Sequence, residues 1–316
     1  MKTLFAIVLA LLSAAAQAQY PNRAVRVIVA AQTGGPDIVA RVVAAELQAQ
    51  MGQPFVVENQ GGANGIVGAT TVAKAAPDGY TLLVYSSGFV INPAMHKSLP
   101  YDTEKDFTPV TNLVSNGGLF FAVTNSLPAK TLQEFIAYAK QSPTPLAYNT
   151  PGVGNTWHLA MEVFDHMTGL KMTHVPYKGG GPAVIAITSG EVSTLFATIP
   201  SAIHHFKSGR LRALGVSSAK RNAALPELPT IAEAGVPGYE AIEWQGLMVP
   251  AGTPREVVER LAQALIEVMR RSDVRENLLR AGFYSTGRGP EDFHRRVVEE
   301  LPKWKDVIQK ARITAQ

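Results

Sequence analysis

The 316-residue chain contains no cysteine. This absence excludes a disulfide framework, a thiolate metal site and a lipid-anchored thiol. Beyond a short apolar stretch at the N-terminus, no apolar run approaches the ~20 residues that a membrane-spanning helix needs. We therefore expect neither a disulfide-stabilised fold nor direct insertion into a membrane.

Charge of either sign is sparse and evenly spread. The formal net charge is +4; leaving out Lys2 at the N-terminus, 28 basic residues stand against 25 acidic ones, a net charge of +3. There is no long run of like charges, no low-complexity tract and no repeat. This mild excess suits a small acidic ligand, whereas nucleic-acid binding would call for a clustered basic patch.

Motifs of known catalytic chemistry are also absent. The chain has no G-x-S-x-G elbow, no Walker loop, no H-E-x-x-H pair and no cysteine nucleophile. His158 shares one predicted helical face with Glu162 and His166, but the spacing is not a metal signature, so a packed or capping histidine is favoured. We expect no catalytic residue, no metal and no cofactor.

The N-terminus has the pattern of a secretory signal. Lys2 precedes an apolar core at 4–12, and small residues lead to Ala-Gln-Ala at 16–18. We expect residues 1–18 to be a cleaved signal peptide, and the mature chain to begin at Gln19 and to be exported.

Four glycine-rich loops, each running into a predicted helix, are the most informative feature. They lie at 33–37, 61–65, 151–156 and 178–182. A helix start exposes unpaired N–H groups and a partial positive charge, and glycine removes the side chain that would keep a ligand from that backbone. One such loop is an ordinary strand-to-helix turn. Four together predict a site that grips a small acidic molecule from several sides.

Alternating strands and helices predict an α/β fold. Strands at 23–30, 54–58 and 80–85 alternate with helices at 38–51 and 66–75, which indicates a parallel sheet covered by helices. Ligands of such sheets bind at the carboxyl ends of the strands, where the first two glycine loops fall. Asp37 is interpreted as the N-cap of its helix, because a carboxylate would repel an acidic solute.

The pattern restarts after residue 118, and predicts a second α/β unit with its own pair of anion sites. The predicted strands are 119–124, 146–149, 172–175, 193–197 and 211–217, and the predicted helices are 131–140, 157–168 and 182–189. Three further helices near the C-terminus are predicted to pack back onto the first unit. The predicted domains are 19–118 plus 228–316 for domain I and 119–227 for domain II.

Eight short blocks of sequence follow one another in a recognisable order. They lie at 34–41, 57–65, 76–83, 154–160, 175–179, 212–216, 229–235 and 249–254. In content and order they resemble the Bug-type periplasmic solute receptors of tripartite tricarboxylate transporters, and the resemblance covers essentially the whole mature chain.

This resemblance implies a fold, a cellular location and partner proteins. The fold is a two-domain clam-shell, the type II periplasmic binding protein fold, with two mixed sheets flanked by helices, which closes on a carboxylated solute. The receptor works in the periplasm as a monomer and delivers its ligand to membrane permease subunits. One ligand carboxylate is held through waters and backbone groups of the first two loops, and the second domain adds the loops that end at His158 and Gly179.

The candidate ligand-binding residues follow from the loops and the resemblance together. In the first domain they are Thr33, Gly34, Gly35, Asn59, Ala63, Asn64, Gly65, Ser86 and Ser87. In the second domain they are Gly154, Asn155, Thr156, His158, Tyr177, Lys178 and Gly179. Glycine backbones, hydroxyls and amides would donate to the carboxylate, with Lys178 as a counter-ion or an exposed lysine.

The chain departs from the family pattern at the ligand loops. Gln60-Gly61 replaces a common Arg-Pro, Asn64 replaces a glycine, and Ala186 and Ser193 replace frequent acidic residues. These changes favour hydrogen bonding over charge pairing and leave dicarboxylates, amino-dicarboxylates, citrate-like acids and aromatic carboxylates open as ligands. Two other functions also stay open: a ligand sensor for a histidine-kinase receptor, and a hydrolase that would use Ser86 or Ser87 with His158.

Overall fold

The computed structural model of the chain describes residues 20–32, 35–177, 179–223 and 225–310. The predicted signal peptide, Thr33, Gly34 and Lys178 lie outside the described residues. Within the described ranges, no helix combines the length and the apolar character needed to cross a bilayer.

A six-stranded mixed sheet forms the first half of the fold. Its strands are β1 (Val25–Val29), β2 (Phe55–Asn59), β3 (Thr81–Ser86), β4 (Phe107–Ser115), β10 (Trp244–Pro250) and β11 (Tyr284–Arg288). In space they follow the order β11-β4-β10-β3-β1-β2. β1 runs parallel to β2 and β3, whereas β10 runs antiparallel to both β3 and β4. Because β10 comes from late in the sequence, this sheet is built from both ends of the chain.

A five-stranded mixed sheet forms the second half. Its strands are β5 (Leu119–Thr124), β6 (Ala147–Thr150), β7 (Thr173–Pro176), β8 (Thr194–Thr198) and β9 (Leu211–Val216), in the order β7-β6-β8-β5-β9. β6 is parallel to β7 and β8, and β5 is antiparallel to β8 and β9. The predicted pair of mixed sheets is confirmed.

Helices cover both sheets. They are α1 (Gly35–Met51), α2 (Ile66–Ala73), α3 (Gly88–Met95), α4 (Leu132–Gln141), α5 (Thr156–Thr168), α6 (Gly180–Ser189), α7 (Ile199–Lys207), α8 (Arg255–Arg270), α9 (Ser272–Arg280) and α10 (Pro290–Lys310). Apolar residues of α8 and α10 pack in the cores on the two faces of the six-stranded sheet. A third core surrounds the five-stranded sheet and includes Ile231 and Tyr239. The domain boundaries stay a prediction.

The prediction that Asp37 caps α1 is wrong. The helix begins at Gly35, so Asp37 lies inside the first turn. There its carboxylate pairs with Arg41 one turn later, with an Oδ1–Nε distance of 2.9 Å. The hydrogen bond from the guanidinium lowers the pKa of Asp37. The carboxylate is therefore held by a side chain of its own helix and also lies near the positive helix end.

Four elements escaped prediction: α3, β4, α7 and β11. The helix α3 is apolar on nearly every side and contains Pro93, so it lacks the one-sided pattern by which helices are recognised. Strand β11 is half-buried and polar, with a glycine, which conceals its period. The segment between α9 and α10 therefore adds an edge strand to the first sheet, where the sequence had suggested helices alone.

The chain crosses between the two sheets twice, and the two crossing segments lie side by side. One runs from Ser115 to Leu119 and the other from Val216 to Trp244. The backbone N–H of Asn116 in the first crossing donates to the carbonyl oxygen of Glu243 in the second, at 3.0 Å. These crossings form the base of the cleft between the two halves.

Candidate functional site

A cavity of about 730 Å³ lies between the two sheets. The first turns of five helices line it: α1 at Gly35, α3 at Gly88, α5 at Thr156, α6 at Gly180 and α7 at Ser201. Two of these helices belong to the first half and three to the second. Helix N-termini carry unpaired N–H donors and a partial positive charge, so their convergence favours an anion. Among the described lining residues none is a lysine, arginine or histidine.

Glycine lets the start of α1 reach the cavity wall. A Cβ atom at Gly35 would lie 2.9 Å from Cζ of Phe283 and 3.2 Å from Nε2 of Gln245. Any side chain would therefore displace Phe283, which lines the cavity itself. This close approach explains why residue 35 is a glycine. It also brings the first amide groups of α1 against the cavity.

The second glycine loop is held in a left-handed conformation by a buried network. Ala63, Asn64 and Gly65 have φ of 45°, 51° and 89°. The Tyr85 hydroxyl donates to the Asn64 carbonyl, and Asn92 Nδ2 donates to the Tyr85 hydroxyl at 2.7 Å. Asn64 lines the cavity, whereas Ala63 and Gly65 shape the loop behind it.

At the end of β3 the two serines have different surroundings. Ser86 lines the cavity. Ser87 is fully buried, and its Oγ lies 3.3 Å from Oγ1 of Thr156, so it joins the two halves. Asn59 lies apart from the cavity lining, where its Oδ1 accepts a hydrogen bond from Arg41 at 3.2 Å.

The third glycine loop presents the start of α5 to the cavity. Asn155 caps the helix: its Oδ1 accepts from the backbone N–H of Trp157 at 2.9 Å and of His158 at 3.1 Å. Gly154 has φ of 76°, and its carbonyl accepts from Asn64 Nδ2 at 3.4 Å, a second contact between the halves. Gly154, Asn155 and Thr156 all line the cavity.

His158 faces the interior of the second half. Its Nδ1 accepts from the backbone N–H of Gly154 at 3.1 Å, and its ring stacks on His174 with centroids 4.1 Å apart. Burial, together with the neighbouring His174, lowers the pKa of His158 to about 3. The ring is therefore neutral at physiological pH, and it supports the third loop from behind.

The hydrolase alternative needs a histidine next to a serine, and for Ser87 the described geometry does not provide that pair. The Ser87 hydroxyl contacts the Thr156 hydroxyl. His158 Nδ1 accepts a hydrogen bond from the Gly154 N–H, and its Nε2 lies 3.6 Å from Oε1 of Glu162.

Tyr177 and Gly179 of the fourth loop were predicted to contact the ligand, but neither lines the cavity. The Tyr177 hydroxyl donates to Glu191 at 2.6 Å on the surface, away from the cavity lining. The backbone N–H of Gly179 donates to Pro151 at 3.2 Å, which ties the fourth loop to the third. Gly180, one residue later, lines the cavity. Lys178 lies outside the described residues.

Several lining residues were not among the candidates. They include Ala31, Gln32, Ile91, Asn116, Trp157, Thr198, Ser201, Glu243 and Phe283. Trp157 directly follows a predicted candidate and could have been found from helix geometry. Asn116 and Glu243 come from the chain crossings, and Thr198 and Ser201 surround the start of the unpredicted α7, so no local pattern pointed to them.

Two sheets joined by paired crossings, with a cavity between them, define a two-lobed solute receptor. The family model described as "Tripartite tricarboxylate transporter family receptor" (TctC) matches residues 39–313. The chain belongs to this family, which confirms the predicted resemblance and, with the solved structures below, the predicted type II periplasmic binding fold.

Three similar proteins illustrate the relationship. Protein BugT of Bordetella pertussis (strain Tohama I) is 34% identical over 293 residues, which cover 92% of this chain and 90% of BugT. A structure described as R. palustris Rpa4515 with adipate is 36% identical, with a TM-score of 0.83 and coverage of 94% of this chain and 99% of that one. MatC (Rpa3494) from Rhodopseudomonas palustris with bound malate is 34% identical, with a TM-score of 0.79 and coverage of 92% and 100%.

Proposed function

We propose that this chain is a periplasmic receptor that captures a small carboxylated solute in the cleft and delivers it to membrane permease subunits. The convergence of five helix N-termini from both halves on one cavity is the observation that carries this proposal. A carboxylate placed there would accept hydrogen bonds from backbone amides and lie at the positive ends of several helices.

Typical interaction energies at helix N-termini are large enough for micromolar binding of a carboxylate. A helix end contributes about 0.3–1 kcal/mol per charge, and up to ~2 kcal/mol where it is partly buried. A hydrogen bond to a charged group adds about 1.5–3 kcal/mol. Two helix ends and three such bonds can therefore exceed the ~8 kcal/mol of micromolar binding and leave a surplus against the cost of closing the cleft.

Within this proposal, residues of both halves would touch the ligand. We assign Gly35, Asn64 and Ser86 to the first half and Gly154, Asn155 and Thr156 to the second, because these candidates line the cavity. Asn59, Ala63, Gly65, Ser87, His158, Tyr177 and Gly179 would act by supporting the loops, since each lies outside the lining. Thr33, Gly34 and Lys178 remain predicted ligand contacts.

The relatives support the ligand class and the partner. Rpa4515 and MatC were solved with adipate and malate, which are both dicarboxylates. The family description names a transporter receptor, which favours permease subunits as the partner over a sensor kinase. The predicted secretory signal would bring the receptor to the periplasm, and the family resemblance implies that it acts there as a monomer.

A thermal-shift screen against mono-, di-, tri- and aromatic carboxylates tests the proposal. A bound ligand at a hundred times its dissociation constant should add about 2.7 kcal/mol to the free energy of unfolding. We expect at least one carboxylate to raise the melting temperature of the mature chain, whereas its methyl ester, which lacks the charge, should not. No shift with any member of the panel would contradict the proposed function.

A further inference from the structure

Glu243 is the only titratable side chain among the described residues that line the cavity. It lies on the second chain crossing, directly before β10, at the base of the cleft. Its backbone N–H donates to Asn116 Oδ1 at 3.3 Å, and its carbonyl oxygen accepts from the Asn116 N–H at 3.0 Å. These two hydrogen bonds hold the backbone of Glu243 where the two chain crossings lie side by side.

The Glu243 carboxylate has no hydrogen-bond or ion-pair partner among the described residues. Burial alone raises its pKa, to about 7. An ion pair joins Arg296 and Glu300 at 2.7 Å, and Glu300 also accepts from the indole N–H of Trp244, the residue that follows Glu243. Because Trp244 is the next residue along the strand, that pair lies on the opposite side from Glu243. A partly buried carboxylate without a cation is costly, so its place in a binding cavity needs an explanation.

Unpaired donors lie beside this acceptor. Asn116 is almost fully buried and lines the cavity, and its Oδ1 is occupied by the N–H groups of Gly118 and Glu243. Its Nδ2 is therefore the free end of the amide, and it has no partner. Gln245, on the same side of the strand as Glu243, also has an unpartnered buried amide, next to Gly35 at the start of α1.

We propose that the solute is a carboxylate that also bears an ammonium group, and that Glu243 binds this ammonium at the base of the cleft. The proposal rests on the proposed function and deepens it. The ligand carboxylate would accept from Asn116 Nδ2, Gln245 Nε2 and the first amides of α1. The ligand ammonium would donate to Glu243.

Charge balance favours this ligand class over a plain dicarboxylate. An ammonium both donates a hydrogen bond and neutralises Glu243, and hydrogen bonds between charged groups are about twice as strong as neutral ones. A second carboxylate at this position would be repelled by ionised Glu243, or would require it to take up a proton. A hydroxyl could donate a hydrogen bond to Glu243 but would leave its charge uncompensated.

Isothermal titration with matched ligands tests the proposal. L-aspartate, L-malate and succinate differ only by an ammonium, a hydroxyl or a hydrogen at one carbon, and L-glutamate and glutarate form a second pair. At pH 8 we expect the wild-type chain to bind an amino acid of the series at least about tenfold more tightly than its des-amino partner. Glu243→Gln should reduce this ratio to about twofold or less. The control Glu227→Gln, at an exposed position, should leave the ratio unchanged.

The pH dependence gives a second readout. Because the pKa of Glu243 is about 7, the residue is mostly ionised at pH 8 and mostly protonated at pH 6. Affinity for the amino ligand should therefore rise by about tenfold from pH 6 to pH 8 in the wild type, and stay flat in Glu243→Gln.

Two other results have distinct meanings. If a carboxylate without an ammonium binds as tightly as its amino analogue, and Glu243→Gln leaves its affinity unchanged, the inference about Glu243 is overturned while the proposed function stands. If no carboxylate of the wider panel binds at all, the proposed function fails and the inference fails with it.

Discussion

Replacing Thr156 with aspartate should abolish carboxylate binding while leaving the fold intact. Thr156 is the first residue of α5 and lines the cavity. A negative charge there would stand a few ångströms from the ligand carboxylate. Two like charges ~5 Å apart repel by about 3 kcal/mol at an effective dielectric constant of ~20, which corresponds to a loss of more than 100-fold in affinity. Isothermal titration with a carboxylate from the thermal-shift screen measures this loss.

The matched control for this variant is Thr156→Asn. It has nearly the same size as aspartate and removes the same contact with Ser87, but it carries no charge. We expect less than a tenfold loss for asparagine. Thr156 is buried, so the favourable place of aspartate in the first turn of the helix only partly offsets its loss of hydration; we expect the ligand-free aspartate variant to stay folded and to melt a few degrees below the asparagine variant. Equal losses for both variants would mean that the start of α5 does not face the ligand charge.

Replacing Gly65 with alanine should destabilise the protein by about 3 kcal/mol or more. The residue has φ of 89°, which costs an L-residue about 1–2 kcal/mol. An added Cβ would also lie 2.4 Å from Cε2 of Tyr85 and 2.7 Å from the carbonyl oxygen of Ala30, and overpacking of this kind costs about 1–3 kcal/mol. Urea denaturation gives the free energy of unfolding.

Gly52→Ala separates the two contributions. Gly52 also has a positive φ, of 73°, but no atom lies within 4 Å of its added Cβ. We expect this variant to be destabilised only by the conformational cost of positive φ, about 1–2 kcal/mol. A Gly65→Ala variant no less stable than Gly52→Ala would show that Tyr85 and the second loop move apart easily, against the rigid support inferred for Asn64.

The third loop shows what a sequence can reveal about this site. A glycine-rich stretch followed by small polar residues predicts a helix start from local chemistry alone, with Thr156 favoured as the cap; in the structure Asn155 is the cap and Thr156 is the first residue of the helix. Strand order adds that such starts lie at the carboxyl edge of a sheet. Gly154, Asn155 and Thr156 were therefore within reach of sequence reasoning.

Asn116 and Glu243 show the opposite case. They are 127 residues apart in the chain; Asn116 directly follows β4, which was not predicted, and Glu243 directly precedes β10. Their meeting depends on β10 entering the first sheet between β3 and β4, which no local pattern indicates. A lone glutamate before a tryptophan has no motif, so only the tertiary structure brings it to the cavity.

The two serines and His158 show a third limit. Ser86 and Ser87 have the same local chemistry, but Ser86 is the last residue of β3 and lines the cavity, whereas Ser87 lies at the turn into α3 and is fully buried. His158 has the expected position on α5, yet its ring turns inward to stack on His174. Sequence spacing placed these residues near the site and could not decide the direction of each side chain.

The most direct test of the central claim is a distance measured across the cleft with and without a carboxylate. Since the chain has no cysteine, spin labels can be attached at Val67→Cys on α2 and Ile185→Cys on α6, where the native side chains are 48% and 67% exposed. A control pair, Val67→Cys with Val298→Cys on α10, lies within the first half. We predict that a saturating carboxylate shortens and narrows the distance distribution of the first pair and leaves that of the control unchanged. An unchanged first-pair distribution with a carboxylate that binds would contradict capture between the two halves.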